Sequence, residues 1–224
     1  MNEKERDFFD KNAHHWDEMS VHDLDVVRFL ADSLGLEGHE SVLDVGTGTG
    51  IMLPFYRERT DGPITAVDFS PNMLRVAESK YPAEEFGIEY VVSDVYEYSP
   101  GRMFDVIVCY SCFPHFEDKP GAIARLASML PEGGKLMISH GCSRDHINRV
   151  HESGGEAIQE DHLPDMPHLR AMVEGSGMEP IAEFDDDRMF GIVAVKHRSR
   201  SPDALSCAVR KAPRNLCGRA YGPC

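Results

Sequence analysis

The sequence predicts an α/β fold in three layers, a doubly wound and mostly parallel sheet covered by helices on both faces. Three observations predict it. Short β-rich runs alternate with helical stretches between residues 41 and 140, the rhythm of βαβ units. An apolar run, Ser41-Val42-Leu43-Asp44-Val45, passes directly into glycines at alternate positions, Gly46, Gly48 and Gly50, before the next helical stretch. Two further β-rich runs, 181–185 and 189–196, flank the acidic pair Asp186-Asp187 and read as an antiparallel hairpin.

Each element has its own signal. Residues 3 to about 35 read as helix, because Phe8, Phe9, Trp16, Met19, Leu24, Val27, Leu30 and Leu34 recur at helical spacing. Gly35 and Gly38 end that stretch. Strands are expected at 41–45, 64–68, 88–93, 104–110 and 135–140, with helices at 51–59, 71–80, 120–129 and 166–175. Ser70 before Pro71 is a cap followed by proline in the first helical turn, where its missing N–H costs nothing. The polar segment 141–164 breaks the rhythm. Together with His140 it holds His146, His151 and His162, four of the chain's eleven histidines. Its place after a strand's carboxyl end makes it the expected lid or substrate-recognition insertion of a domain spanning 1–196. Residues 197–224 lack periodicity and are rich in Arg, Pro, Ser and Gly; they read as a disordered basic tail.

Composition narrows the function. The 224 residues are 42% hydrophobic and 27% charged, as in an ordinary globular domain. The formal charge is −15, with six Lys/Arg against one Asp from residue 197 onward, so the preceding part is more acidic still. Such a surface repels phosphate backbones and disfavours nucleic acid as a partner. No apolar run reaches the ~20 residues of a membrane helix, and the charged start Met1-Asn2-Glu3-Lys4 is no secretory leader; a cytoplasmic protein is expected. The six cysteines include no C-x-x-C pair of the metal or redox kind, so free thiols are the default and no metal site is assigned.

The chemistry concentrates at the strand ends. Alternate glycines let the chain turn sharply and admit a ligand close to the main chain. The spacing is not the dinucleotide G-x-G-x-x-G, because Ile51 stands where the third glycine belongs. Asp68, 18 positions after Gly50 and at the end of the second strand, is placed to accept both hydroxyls of a ribose. Asp94-Val95 follow the third strand, suited to an exocyclic amino group and an apolar ring face, and Tyr110 ends the fourth.

On these residues the sequence resembles the class I S-adenosylmethionine-dependent methyltransferases over nearly all of 5–196. Gly46, Gly48 and Gly50 resemble the family's first motif, with Asp44 at the acidic position that commonly meets the methionine amino group. Asp68, followed by Phe69-Ser70-Pro71 and Met73-Leu74, resembles the ribose-binding segment, and Asp94-Val95 the adenine-contacting pair. The resemblance carries Thr47, Phe69, Met73 and Tyr110 into the same cofactor-binding set. The opening Phe8-Phe9-Asp10, with Ala13 and Trp16-Asp17, is similar to the N-terminal helix of the ubiquinone/menaquinone-biosynthesis branch, which lies over the cofactor. What the family implies is a Rossmann-like sheet of seven strands, the last antiparallel, with S-adenosyl-L-methionine as cofactor and a small-molecule acceptor. Tyr110-Ser111-Cys112-Phe113 departs from the Pro-Pro-aromatic motif of base N-methylation and from the Asp of cation-dependent catechol enzymes.

If the acceptor must lose a proton, His115 and His140 are the candidate bases, both just past strand ends and both able to titrate near neutrality. The plainer alternative is that His115 merely packs between Phe113 and Phe116. Cys112 and Cys142 admit a metalloid- or thiol-methylating reading. A non-catalytic domain that binds the cofactor as sensor or partner is the alternative outside enzymology, with monomer or homodimer both open. An open acceptor space would favour the enzyme, and a plugged one the binder.

Overall fold

The computed structural model describes residues 3–153 and 158–197. In chain order, α1 (Glu3–Asn12), α2 (Trp16–Met19) and α3 (Leu24–Ser33) precede β1 (Val42–Val45). Then come α4 (Leu53–Arg57), β2 (Ile64–Asp68), α5 (Pro71–Lys80), α6 (Ala83–Phe86), β3 (Ile88–Val92) and β4 (Val106–Tyr110). The chain continues through α7 (Lys119–Ser128), β5 (Lys135–His140), α8 (Arg144–Ser153), α9 (Met166–Gly175), β6 (Met178–Asp185) and β7 (Phe190–Lys196). The seven strands form one sheet in the order β3-β2-β1-β4-β5-β7-β6. β1 through β5 run parallel, and β7 pairs antiparallel with both β5 and β6.

Alternation of side chains builds the two cores. Leu43, Val45, Ile107, Leu136 and Ile138 face Ile123, Leu126, Leu169 and Val173 of α7 and α9. Their neighbours Val42, Val106, Val108 and Met137 face Val27 and Leu30 of α3, Leu34 just after it, and Leu53 and Tyr56 of α4. β1, β2 and β4 are buried along their whole lengths, which is why they read as mostly apolar runs without polar alternation, Asp44 and Asp68 standing toward the carboxyl ends of β1 and β2. β1 has β2 on one side and β4 on the other, so the connections leave it in opposite directions and open a crevice beyond the carboxyl ends of β1 and β4.

The helices start where capping chemistry allows. Asp23, Ser70, Asp118 and Asp165 each accept a backbone N–H in the first turn of α3, α5, α7 and α9. Asp23 is also why the single helix expected over 3–35 is broken: it caps a new helix after the non-helical residues 20–23. The helix expected at 51–59 is regular only over Leu53–Arg57, because Gly50 holds a left-handed φ of +84° that no α-helix admits. β6 begins earlier than expected; Pro180 and a register shift between Pro180 and Ala182 had hidden its start. The segment 141–164 contains α8, whose polar residues gave no helical signal. Among the described residues, no helix is long and apolar enough to cross a membrane. The tail expected from 197 lies, apart from His197, outside the described residues.

The N-terminal helix is latched across the crevice. Asp10 Oδ1 accepts from Ser70 Oγ (2.5 Å) and Asn72 N (3.1 Å), and Asn72 Nδ2 donates to Asp10 O (3.0 Å). Phe9 packs edge-on against Trp16 and Phe69, with centroids 5.3 and 5.8 Å apart. Asp10→Ala should therefore free α1 without unfolding the domain. Hydrogen exchange should show protection at Phe8 and Phe9 falling by the equivalent of about 1–3 kcal/mol, while the urea midpoint of the whole domain stays close to wild type.

Candidate functional site

The site begins with the loop after β1. Gly46 sits at φ +66°, and a Cβ there would lie 2.6 Å from the Cβ of Cys112, so only glycine lets this loop close on the one after β4. Gly48, at φ +56°, has nothing within 4 Å of its Cβ position and borders open space. Gly50 serves packing instead: a Cβ would meet Leu53, Tyr81 and Ala77.

A cavity of about 490 Å³ opens at these strand ends. Gly46, Thr47, Gly48, Asp68, Phe69 and Met73 line one part of it. His22, Tyr110, His115, His140, Cys142 and His151 line another, with Phe9, Trp16, Ile147 and Val150 as apolar wall. The described residues of the segment after β5 thus border the cavity without filling it.

Four of the residues assigned from sequence are not part of this lining: Asp44, Gly50, Asp94 and Val95. Asp44 lies beneath the glycine loop with its carboxylate already engaged, accepting from Thr47 Oγ1 (2.7 Å) and from the Tyr56 hydroxyl (3.1 Å). Asp94 accepts from Tyr96 N (2.8 Å) and so closes its own turn, while Val95 is a buried core residue. Asp68 does line the cavity, accepting from Gly48 N (2.8 Å) and Ser70 N (2.9 Å). Burial raises the pKa of Asp44 to about 7 and that of Asp68 to about 6, against the pull of the hydrogen bonds each receives.

The histidines differ in how they are held. His115 Nδ1 meets Asp161 Oδ2 at 2.7 Å, and its ring stacks on His151 (5.0 Å) and lies edge-on to Phe9 (5.1 Å). His151 Nδ1 bonds Asp161 O at 2.6 Å, and desolvation lowers its pKa. His22 bonds the Tyr110 hydroxyl (2.8 Å) and Ser20 Oγ (3.1 Å). His140, 1% exposed, has no partner at either ring nitrogen. Burial, with His115, His151 and His22 nearby, brings it down to about 3. Phe113 and Phe116 pack on each other, so His115 belongs to the cavity rather than to a slot between them. Sequence reasoning singled out His151 in the segment after β5 but missed His22 and the pairing of His115 with Asp161 and His151. A hydrogen bond with Cys109 and burial push the Cys112 thiol up, and burial alone raises Cys142, so both remain thiols at neutral pH. Among the described residues, no group of three or more His, Cys, Asp or Glu is arranged to hold a metal ion.

Comparison with known proteins agrees with this architecture. The profile of a family described as "Methyltransferase domain" matches residues 15–183. The malonyl-[acyl-carrier protein] O-methyltransferase of Acetivibrio thermocellus is 28% identical over 134 residues, 58% of this chain and 47% of that protein. Phosphoethanolamine N-methyltransferase 1 of Triticum aestivum is 30% identical over 180 residues, 77% of this chain and 35% of that protein. The chain spans about half or less of the length of these curated relatives. Among solved structures, a Haloferax volcanii methyltransferase in complex with the Trm112 activator superposes with a TM-score of 0.74 at 17% identity, covering 88% of this chain and 99% of that one. The magnesium protoporphyrin IX methyltransferase of Synechocystis, with bound SAH, gives 0.66 at 17% identity, covering 87% and 100%. These relatives do not single out the quinone-biosynthesis branch.

The raised Asp44 pKa has a measurable sign. A carboxyl group whose pKa is higher folded than unfolded favours the folded state most below its unfolded pKa of about 4, and that support is lost as pH rises through about 7. Asp44→Asn removes the titration. Its stability relative to wild type, from urea unfolding at each pH, should rise between pH 5 and pH 8 by at least about 1.4 kcal/mol, the worth of one pKa unit.

Proposed function

From the chain's membership of the class I S-adenosylmethionine-dependent methyltransferases, shown by the family match across residues 15–183, we propose that it methylates a small-molecule acceptor at carbon, oxygen or sulfur, with His115 as the base. The observation that carries this reading is the buried His115–Asp161 pair on the wall of a cavity whose opposite part has the features of a nucleoside site.

The residues present fit the cofactor. Open space beside Gly48 is a cradle that any Cβ would begin to fill, and Asp68 presents a carboxylate at the end of β2. Phe69 and Met73 add apolar surface, and Phe9 of α1 packs across Phe69. When bound, S-adenosylmethionine supplies a methyl group on a positively charged sulfur, open to in-line displacement. The protein's part is to bring an acceptor to that methyl group, exclude water and remove a proton. Asp161 at Nδ1 fixes the tautomer of His115 that carries a proton there, leaving the lone pair on Nε2. As the acceptor's proton arrives on Nε2, the Asp161 carboxylate stabilises the imidazolium. Phe9 and His151, packed on the ring, hold its plane.

The relatives' names give acceptors as different as a protein-carried malonyl group, phosphoethanolamine and a porphyrin, so the acceptor comes from this chain's own cavity. The cavity extends past the cofactor part to His115, His140, Cys142 and His151, and this extension supports an enzyme over a sensor.

Calorimetric titration with S-adenosylhomocysteine tests the cofactor site: Asp68→Ala should weaken binding tenfold or more, and wild-type affinity should fall as pH drops through about 6, where Asp68 takes up a proton. A pH-independent wild-type affinity would refute the role of Asp68. With an acceptor in hand, His115→Gln should lower kcat by about 10²–10⁴-fold with unchanged cofactor affinity, and Asp161→Asn should lower it less; an undiminished rate in His115→Gln would remove the base assignment.

A further inference from the structure

His140 is the residue the site does not explain. It ends β5, lines the cavity, is 1% exposed, and leaves both ring nitrogens without a partner. Its histidine neighbours are bonded elsewhere: both ring nitrogens of His22 go to Tyr110 and Ser20, His115 Nδ1 to Asp161, and His151 Nδ1 to the Asp161 carbonyl, and none of them bonds His140. Buried polar atoms left unpaired beside a cavity are completed by what enters it.

The charge around the cavity narrows what that is. Asp17, paired with Lys80 (2.6 Å), and Asp68 are in its wall and Asp161 stands behind His115, but among the described residues no Lys or Arg itself lines it. Lys119 donates to Pro114 O and Phe116 O, and Arg144 to Leu163 O, so neither ammonium nor guanidinium turns inward. A phosphate or carboxylate entering here would lose its water and meet Asp68 and Asp161, and the nearby ammonium of Lys80 is already committed to Asp17. We propose that the acceptor part of the cavity takes an uncharged molecule through a hydroxyl group hydrogen-bonded to His140, and rejects phosphate- and carboxylate-bearing molecules. The ring is neutral at physiological pH, so it offers one N–H and one lone pair, the complement of a hydroxyl that both accepts and donates. Phe9, Trp16, Ile147, Val150 and Ile158 provide the apolar surroundings for the molecule's body. This sets the chain's substrate class apart from the anionic groups in its relatives' names, phosphoethanolamine among them. The inference rests on the methyltransferase reading only for what becomes of the bound molecule.

The test uses the full chain saturated with S-adenosylhomocysteine and three probes that share a ring: phenol, benzoate and phenyl phosphate. Calorimetry should show phenol binding at least tenfold more tightly than either anion. His140→Phe should weaken phenol tenfold or more, leave S-adenosylhomocysteine affinity unchanged and raise the Tm of the free protein, because two unpaired buried atoms are gone. His140→Gln, which keeps a donor and an acceptor, should retain phenol binding. An anion bound as tightly as phenol, no phenol binding at millimolar concentration, or a His140→Phe variant that binds phenol like wild type would each overturn the assignment. If S-adenosylhomocysteine itself fails to bind, the cofactor reading falls, and the same three comparisons in its absence still decide the role of His140.

Discussion

The carboxylate of Asp68 ties the crevice together. One oxygen takes the N–H of Gly48 from the loop after β1, and the other takes the N–H of Ser70 at the start of α5. The Ser70 hydroxyl then accepts from Met73 N and donates to Asp10. Glycine loop, second strand, following helix and N-terminal helix are thus one hydrogen-bonded chain. Its central member is buried, with a pKa pushed up to about 6, so the ionised form is held at a cost that the native packing must absorb. A group kept charged where charge is expensive is a common mark of a binding site.

The fold was legible where local chemistry and long-range packing agree. β2, β5, α5 and α9 have the boundaries expected from the sequence, because each is a clean apolar or capped stretch with its partners in register. The errors fall where two signals compete. Residues 3–33 keep helical spacing throughout, yet Asp23 prefers to cap, so the spacing survives while the helix is divided. α8 was invisible because its residues are nearly all polar, and its place depends on contacts such as that of Asn148 with Leu163.

The cavity lining was legible in part. The glycine loop and Asp68 lie on consecutive βα connections and have fixed spacing, so sequence distance reports spatial distance. Asp44 and Asp94 sit at the right strand ends, but a strand end does not determine which way a carboxylate turns; Thr47, Tyr56 and the Tyr96 N–H decided that. The pairing of His115 with Asp161 spans 46 residues and no regular element relates the two. Nothing periodic could have joined them, and only the closed path of the chain after β5 does.

The two outer strands of the sheet have a consequence for the molecule in a crowded solution. β6 is an edge, and an edge strand is an open row of donors and acceptors that invites a strand from another molecule. Pro180 removes one donor from that row, the register shift beside it spoils the straight run, and Glu179, Glu183 and Asp185 place negative charge along the strand. At the other edge, β3 carries Glu89, held by Arg102. A second copy approaching the β6 border meets acidic side chains and an irregular ladder, features that discourage edge-to-edge pairing there.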